Sequence, residues 1–107
     1  MDLSLSWDQK FKQYLAGRIS IDEDQWTRVL SVSRIKKLKK GRYLLQDGEV
    51  WNQNAFIVSG IVRIYTINDS GDEQILNFAK ENWWTGDRQS LLSGKPSRFN
   101  IDAIENT

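Results

Sequence analysis

Hydrophobic and polar positions follow two different periods along this chain. In the first third, Trp7, Phe11, Tyr14 and Leu15 fall at i, i+4, i+7 and i+8, one face of a helix that Gly17 can end. Ser20 stands three residues before Glu23, the spacing of a capping box. Acids at Asp22, Glu23 and Asp24 suit the positive end of a second helix, which carries Trp26, Val29 and Leu30 on one side. Two short helices with a brief link predict a helical hairpin packed on another element. After Val32 the period shortens. Glycines at 41, 48, 60, 71, 86 and 94 separate runs with strand character over residues 42–45, 55–58, 61–67 and 73–79. The cluster Asn68-Asp69-Ser70-Gly71-Asp72 predicts a turn, so residues 61–79 read as a hairpin. Residues 87–93 read as one or two helical turns ended by Gly94 and Pro96, and 99–103 as a last alternating strand. Short strands at such intervals predict a sandwich or small barrel.

Composition narrows the chemistry. The chain has 107 residues, which bounds it to one compact domain. Apolar residues make up 39%, low for a globular domain, but five Trp, four Phe and three Tyr can still fill a small core. There is no His and no Cys, which excludes Ser–His–Asp and Cys–His nucleophile systems, zinc sites and disulfides. No metal site is expected. With no long apolar run and no signal-peptide layout, the expectation is a cytoplasmic protein without a membrane partner. The net charge of +1 is too small for a dedicated nucleic-acid surface. It is uneven: residues 1–53 carry ten bases and seven acids, residues 54–107 five bases and seven acids. The basic excess lies mostly in Arg34, Lys36, Lys37, Lys39, Lys40 and Arg42, which read as a solvated face.

Three motifs, in order, resemble one family. Residues 38–49, with Lys39-Lys40-Gly41-Arg42-Tyr43 and Asp47-Gly48-Glu49, are similar to the opening strands of cyclic-nucleotide-binding domains. Residues 56–65, centred on Ser59-Gly60-Ile61-Val62-Arg63, resemble their central hairpin. Gly86-Asp87-Arg88-Gln89-Ser90-Leu91-Leu92, followed by Pro96-Ser97-Arg98-Phe99, looks like their phosphate-binding cassette. The subgroup suggested is the Crp/Fnr transcription regulators of bacteria, and the likeness spans roughly residues 11–107. It implies a mainly β fold, a double-stranded β-helix or cupin-like jelly roll, with N-terminal helices and a short cassette helix. The division expected is a helical segment over 1–32 and a β-roll effector-binding domain over 33–107. Two further strands, a dimerisation helix and a DNA-reading domain follow in the family. The chain therefore reads as a piece of a longer polypeptide, its roll ending in an unpaired edge. DNA binding and homodimerisation would belong to the full-length parent.

The cassette supplies the candidate ligand-binding residues Gly86, Asp87, Arg88, Ser97 and Arg98. A cyclic nucleotide presents a phosphodiester anion, a ribose hydroxyl and a flat base. Glycine lets backbone approach the anion, an acid can accept from the hydroxyl, and arginine can hold the phosphate through a forked pair of bonds. In the family pattern Glu stands at the position of Asp87 and Arg at the position of Ser97. Asp is shorter by one methylene, and Arg98, one place later on a strand, points to the opposite face. Asp87 also reads as the N-cap of the short helix. Trp84 reads as the buried aromatic of the segment, whereas an exposed Trp83 or Trp51 would indicate a partner surface. The reading is an effector-sensing domain, not an enzyme, binding cyclic AMP, another cyclic nucleotide or a different small anion, with no resident cofactor. The alternative is a ligand-free roll serving interaction and dimerisation. Cupin enzymes share the architecture but hold their metal mainly on histidines.

Overall fold

The structure, a computed structural model, describes residues 6–107. They fall into two compact units, divided between Lys36 and Lys37. The first is a pair of helices, α1 (Trp7–Ala16) and α2 (Glu23–Ser31). The Phe11 and Trp26 rings meet at 5.9 Å and Trp26 is buried, as the helical period predicts for a hairpin. The Lys12–Glu23 pair at 2.8 Å is exposed and adds little. The second helix starts later than expected. Asp22, not Ser20, caps it: the Asp22 carboxylate accepts from Gln25 N–H at 2.8 Å, and Gln25 Oε1 accepts from Asp22 N–H at 3.0 Å. Both residues fit the capping pattern, and the carboxylate with a glutamine three residues on closes the box.

The second unit is mainly β. Strands β1 (Tyr43–Leu45), β6 (Asn100–Ala103), β3 (Ile61–Ile67) and β4 (Glu73–Lys80) form one antiparallel sheet in that spatial order. Strands β2 (Ala55–Phe56) and β5 (Trp84–Thr85) form a second, and the short helix α3 (Arg88–Ser93) follows β5. The β3–β4 hairpin closes where the turn cluster predicts. Asn68 Oδ1 accepts from the Ser70 and Asp72 amides at 3.0 and 2.9 Å. Pairing sets Val62 opposite Ala79 and Ala103, and Ile64 opposite Ile101, which faces Leu45 in turn. These side chains share one face and pack with Ile57 and Trp51 into the core. The two-residue β5 has no periodic signal and is not predicted from the sequence. The aromatic anticipated in the core, Trp84, is 48% exposed, with its ring edge-on to Phe56 at 5.3 Å. The buried tryptophan is Trp51, at 4%. Strand β4 forms a sheet edge and leaves Ile75, Leu76 and Phe78 about half exposed.

The opposite face of the four-stranded sheet carries a polar row. Tyr43 pairs with Asp102, and Asp102 with Arg63. Arg63 donates through Nε and Nη2 to the two Asp102 oxygens at 2.8 and 3.2 Å, and through Nη1 to Glu73 at 2.7 Å. Those bonds, Asp102 first, raise its pKa and keep the guanidinium charged. The guanidinium lies 4.1 Å from the centre of the Tyr65 ring, and Tyr65 Oη donates to Tyr43 Oη at 3.2 Å.

Burial, then the hydrogen bond to Tyr43, pushes the Tyr65 pKa up to about 12 from 10.0. Below pH 10 the phenol is neutral both folded and unfolded, and its shift is without effect. Between pH 10 and about 12 the unfolded chain ionises first, so stability falls across that window. Tyr65→Phe is expected to cost about 1 kcal/mol at pH 8 through the lost hydrogen bond. In urea unfolding the gap between the two proteins should narrow as pH rises past 10. A gap that stays constant to pH 12 would contradict this account.

Candidate functional site

The cassette begins at a glycine whose side must stay bare. Gly86 has φ of +140°, and a β-carbon there would lie 2.3 Å from Trp51 Nε1. The indole edge thus packs directly on the Gly86 backbone. Trp51 is also tied to α3 from its own backbone, donating N–H to Ser90 Oγ at 2.9 Å. Ser90 Oγ donates to Lys95 O at 2.6 Å, and Ser90 N–H donates to Asp87 Oδ1 at 3.2 Å. Asp87 is therefore the N-cap of α3, as its local pattern also suggests, and Gly94 ends the helix with its amide on Ser90 O.

A cavity of about 530 Å³ opens beside this junction. Trp51, Trp84, Leu91 and Leu92 form its apolar walls. Asn54, Thr85, Gly86 and Arg88 complete the lining, and Arg88 is the charged member. Among the described residues Arg88 makes no ion pair, so its charge is available to a ligand. Thr85 Oγ1 is buried without a hydrogen-bond partner among the described residues.

The five residues singled out from the sequence are not brought together. Gly86 and Arg88 line the cavity. Asp87 is buried at 9% and absent from the lining, its carboxylate turned to the helix it caps. Ser97 is buried at 2%; its Oγ accepts from Phe99 N–H at 3.0 Å. Its backbone bridges Gly48 N–H at 2.8 Å and Glu49 O at 2.7 Å. Arg98, the residue after buried Ser97, is exposed and outside the lining. Sequence reasoning missed Trp51, Asn54 and Thr85, which reach the cavity through tertiary packing. The glycine spacing that marks the strands was the available signal, and it says nothing of which aromatic turns inward. No group of three or more acidic, His or Cys side chains suited to a metal occurs among the described residues.

Comparison with protein families matches residues 35–107 to the cyclic nucleotide-binding domain. The chain belongs to the cyclic nucleotide-binding domain family. The architecture agrees, since this cyclic nucleotide-binding domain is similar to solved jelly-roll structures. The sensor domain of the transcriptional regulator DNR from Pseudomonas aeruginosa superposes with a TM-score of 0.79 at 21% identity, covering 95% of this chain and 70% of that one. The Thermus thermophilus Catabolite Activator Protein gives 0.70 at 20% identity, over 82% of this chain and 41% of that one. Cyclic-AMP-bound PfPKA-R gives 0.76 at 16% identity, over 99% of this chain and 38% of that one. The domain thus spans less than half of the latter two chains. A comparison with curated protein sequences gave no match.

Two substitutions probe the cassette. Gly86→Ala in this cyclic nucleotide-binding domain forces a side chain into a buried ring at a backbone angle that disfavours one, and is expected to cost about 3 kcal/mol. Gly71→Ala, at φ of +85° with nothing within 4 Å, meets the angle alone and should cost about 1 kcal/mol. Equal losses in urea unfolding would show that the Trp51 contact is not limiting. Thr85→Val removes an unpaired buried hydroxyl while keeping its shape, and should raise stability by up to about 1 kcal/mol. A lower melting temperature in the Val variant would count against an unpartnered hydroxyl.

Proposed function

We propose that this domain is the effector-sensing part of a Crp/Fnr-like transcription regulator, taking a small anionic effector in the cavity beside Gly86 and Arg88. The observation that carries the reading is the position of Arg88, a cation without an ion pair among the described residues, on the wall of a cavity with no other charged group in its lining. Membership of the cyclic nucleotide-binding family and the likeness to the DNR sensor domain support it. No catalytic role is assigned, because the lining offers no carboxylate and no nucleophile–base pair. DNA contact is assigned to another segment of the parent, consistent with the acidic excess over residues 54–107. No helix among the described residues is long and apolar enough to cross a membrane.

A second reading keeps the fold and drops the ligand. The half-exposed Ile75, Leu76 and Phe78 on the edge strand β4 favour an interaction or homodimerisation surface. Titration separates the two. A set of small organic anions including cyclic AMP and cyclic GMP is followed by tryptophan fluorescence, since Trp51 and Trp84 line the cavity. At least one member should bind saturably with a dissociation constant below about 1 mM, corresponding to roughly −4 kcal/mol. Arg88→Ala should abolish that binding and Arg98→Ala should leave it unchanged. Absence of any saturable member leaves the interaction module as the function.

A further inference from the structure

The lining of the cavity narrows the chemistry of the effector, an inference that rests on the sensing role proposed above. A sugar hydroxyl needs an acceptor, and a charged one binds it best. The single cassette carboxylate, Asp87, is buried, accepts from the Ser90 amide at 3.2 Å and does not line the cavity. A cyclic phosphate placed by the family pattern needs an arginine where this chain has Ser97, whose hydroxyl is closed onto the Phe99 amide at 3.0 Å. Arg98 lies outside the lining. What the walls offer most of is apolar: the half-exposed Trp84, the side chains of Leu91 and Leu92, and the buried Trp51 beneath them. One guanidinium stands beside them. Aromatic rings stack on such walls, and a forked pair of bonds from arginine matches a carboxylate.

We infer that the cavity takes a flat aromatic molecule bearing one anionic group, with no sugar. The ring lies between the tryptophan and leucine walls and the anion meets Arg88. Asn54 adds an uncharged amide at the same rim. The affinity is divided between apolar contact and one charge, so both parts of the ligand are required.

Calorimetry on the 107-residue chain tests this with benzoate, 2-naphthoate, indole-3-acetate, neutral indole-3-ethanol and cyclic AMP. At least one of the three carboxylates should bind saturably, and indole-3-ethanol at least about tenfold more weakly than indole-3-acetate. Arg88→Gln should weaken carboxylate binding by about tenfold or more. Its melting temperature should match the parent, because Arg88 is exposed and makes no ion pair among the described residues. Cyclic AMP should give no saturable heat. Binding of cyclic AMP with no response to the carboxylates overturns the aromatic-anion inference and leaves the sensing role intact. Silence from all five overturns both. Carboxylate binding that survives Arg88→Gln unchanged, or is matched by cyclic AMP, also overturns the inference.

Discussion

The contact between the Trp51 indole and the bare α-carbon of Gly86 is the constraint on which the site depends. Burying an indole contributes a few kcal/mol, and here that burial joins two segments 35 positions apart in the chain. The ring fixes where the cassette turns, and its backbone amide fixes where α3 begins through Ser90 Oγ. Ser90 Oγ also donates to Lys95 O, its amide donates to Asp87, and its carbonyl accepts from Gly94 N–H. One aromatic and one small hydroxyl thus hold the turn, the helix and the chain beyond it in a single hydrogen-bonded unit. The cavity wall formed by Leu91 and Leu92 inherits its position from that unit.

The sheet behind the core obeys a different constraint. Strand β6 is buried on both faces, with Ile101 and Ala103 toward the apolar core and Asn100 and Asp102 away from it. A carboxylate in that position requires a partner, because an unpaired buried charge costs several kcal/mol. Arg63 supplies it with a forked pair of bonds, and its third donor reaches Glu73 on the neighbouring strand. The row therefore locks three strands in register. A one-residue slip would separate Arg63 from Asp102 and also turn Val62 out of the core. Polar and apolar faces select the same register for independent reasons.

Local pattern carried much of this fold. The β3–β4 hairpin was legible because alternation and a five-residue turn cluster agree, and α3 because a capping acid and a terminal glycine bracket it. The family resemblance ordered these pieces into a roll. What local pattern could not carry were choices between equivalent residues. Ser20 and Asp22 both suit a cap, and Trp51 and Trp84 are both large aromatics near glycines. In each pair the decision lies in a contact made elsewhere: Gln25 for the cap, and Gly86 with Ser90 for the tryptophan. The partner of Arg63 is likewise set by tertiary pairing, because Asp102 lies 39 positions away in the chain.

Asp87 shows how a cassette can keep its shape while its chemistry changes. A carboxylate at the head of a short helix is pulled two ways, toward the helix amides and toward a ligand. The shorter side chain resolves the competition, since Asp is among the best capping residues and reaches Ser90 N–H without extending. With Glu, the added methylene would favour reach over capping. Once the acid is turned to the helix, the cavity lining carries no carboxylate. Ser97 instead serves the backbone, and the cation sits on the helix as Arg88. Capping by Asp87, the Ser97 bond and the position of Arg88 thus leave one charged group at the cavity, on the helix side. Under the proposed sensing role, the anion is held from that side, next to the aromatic wall.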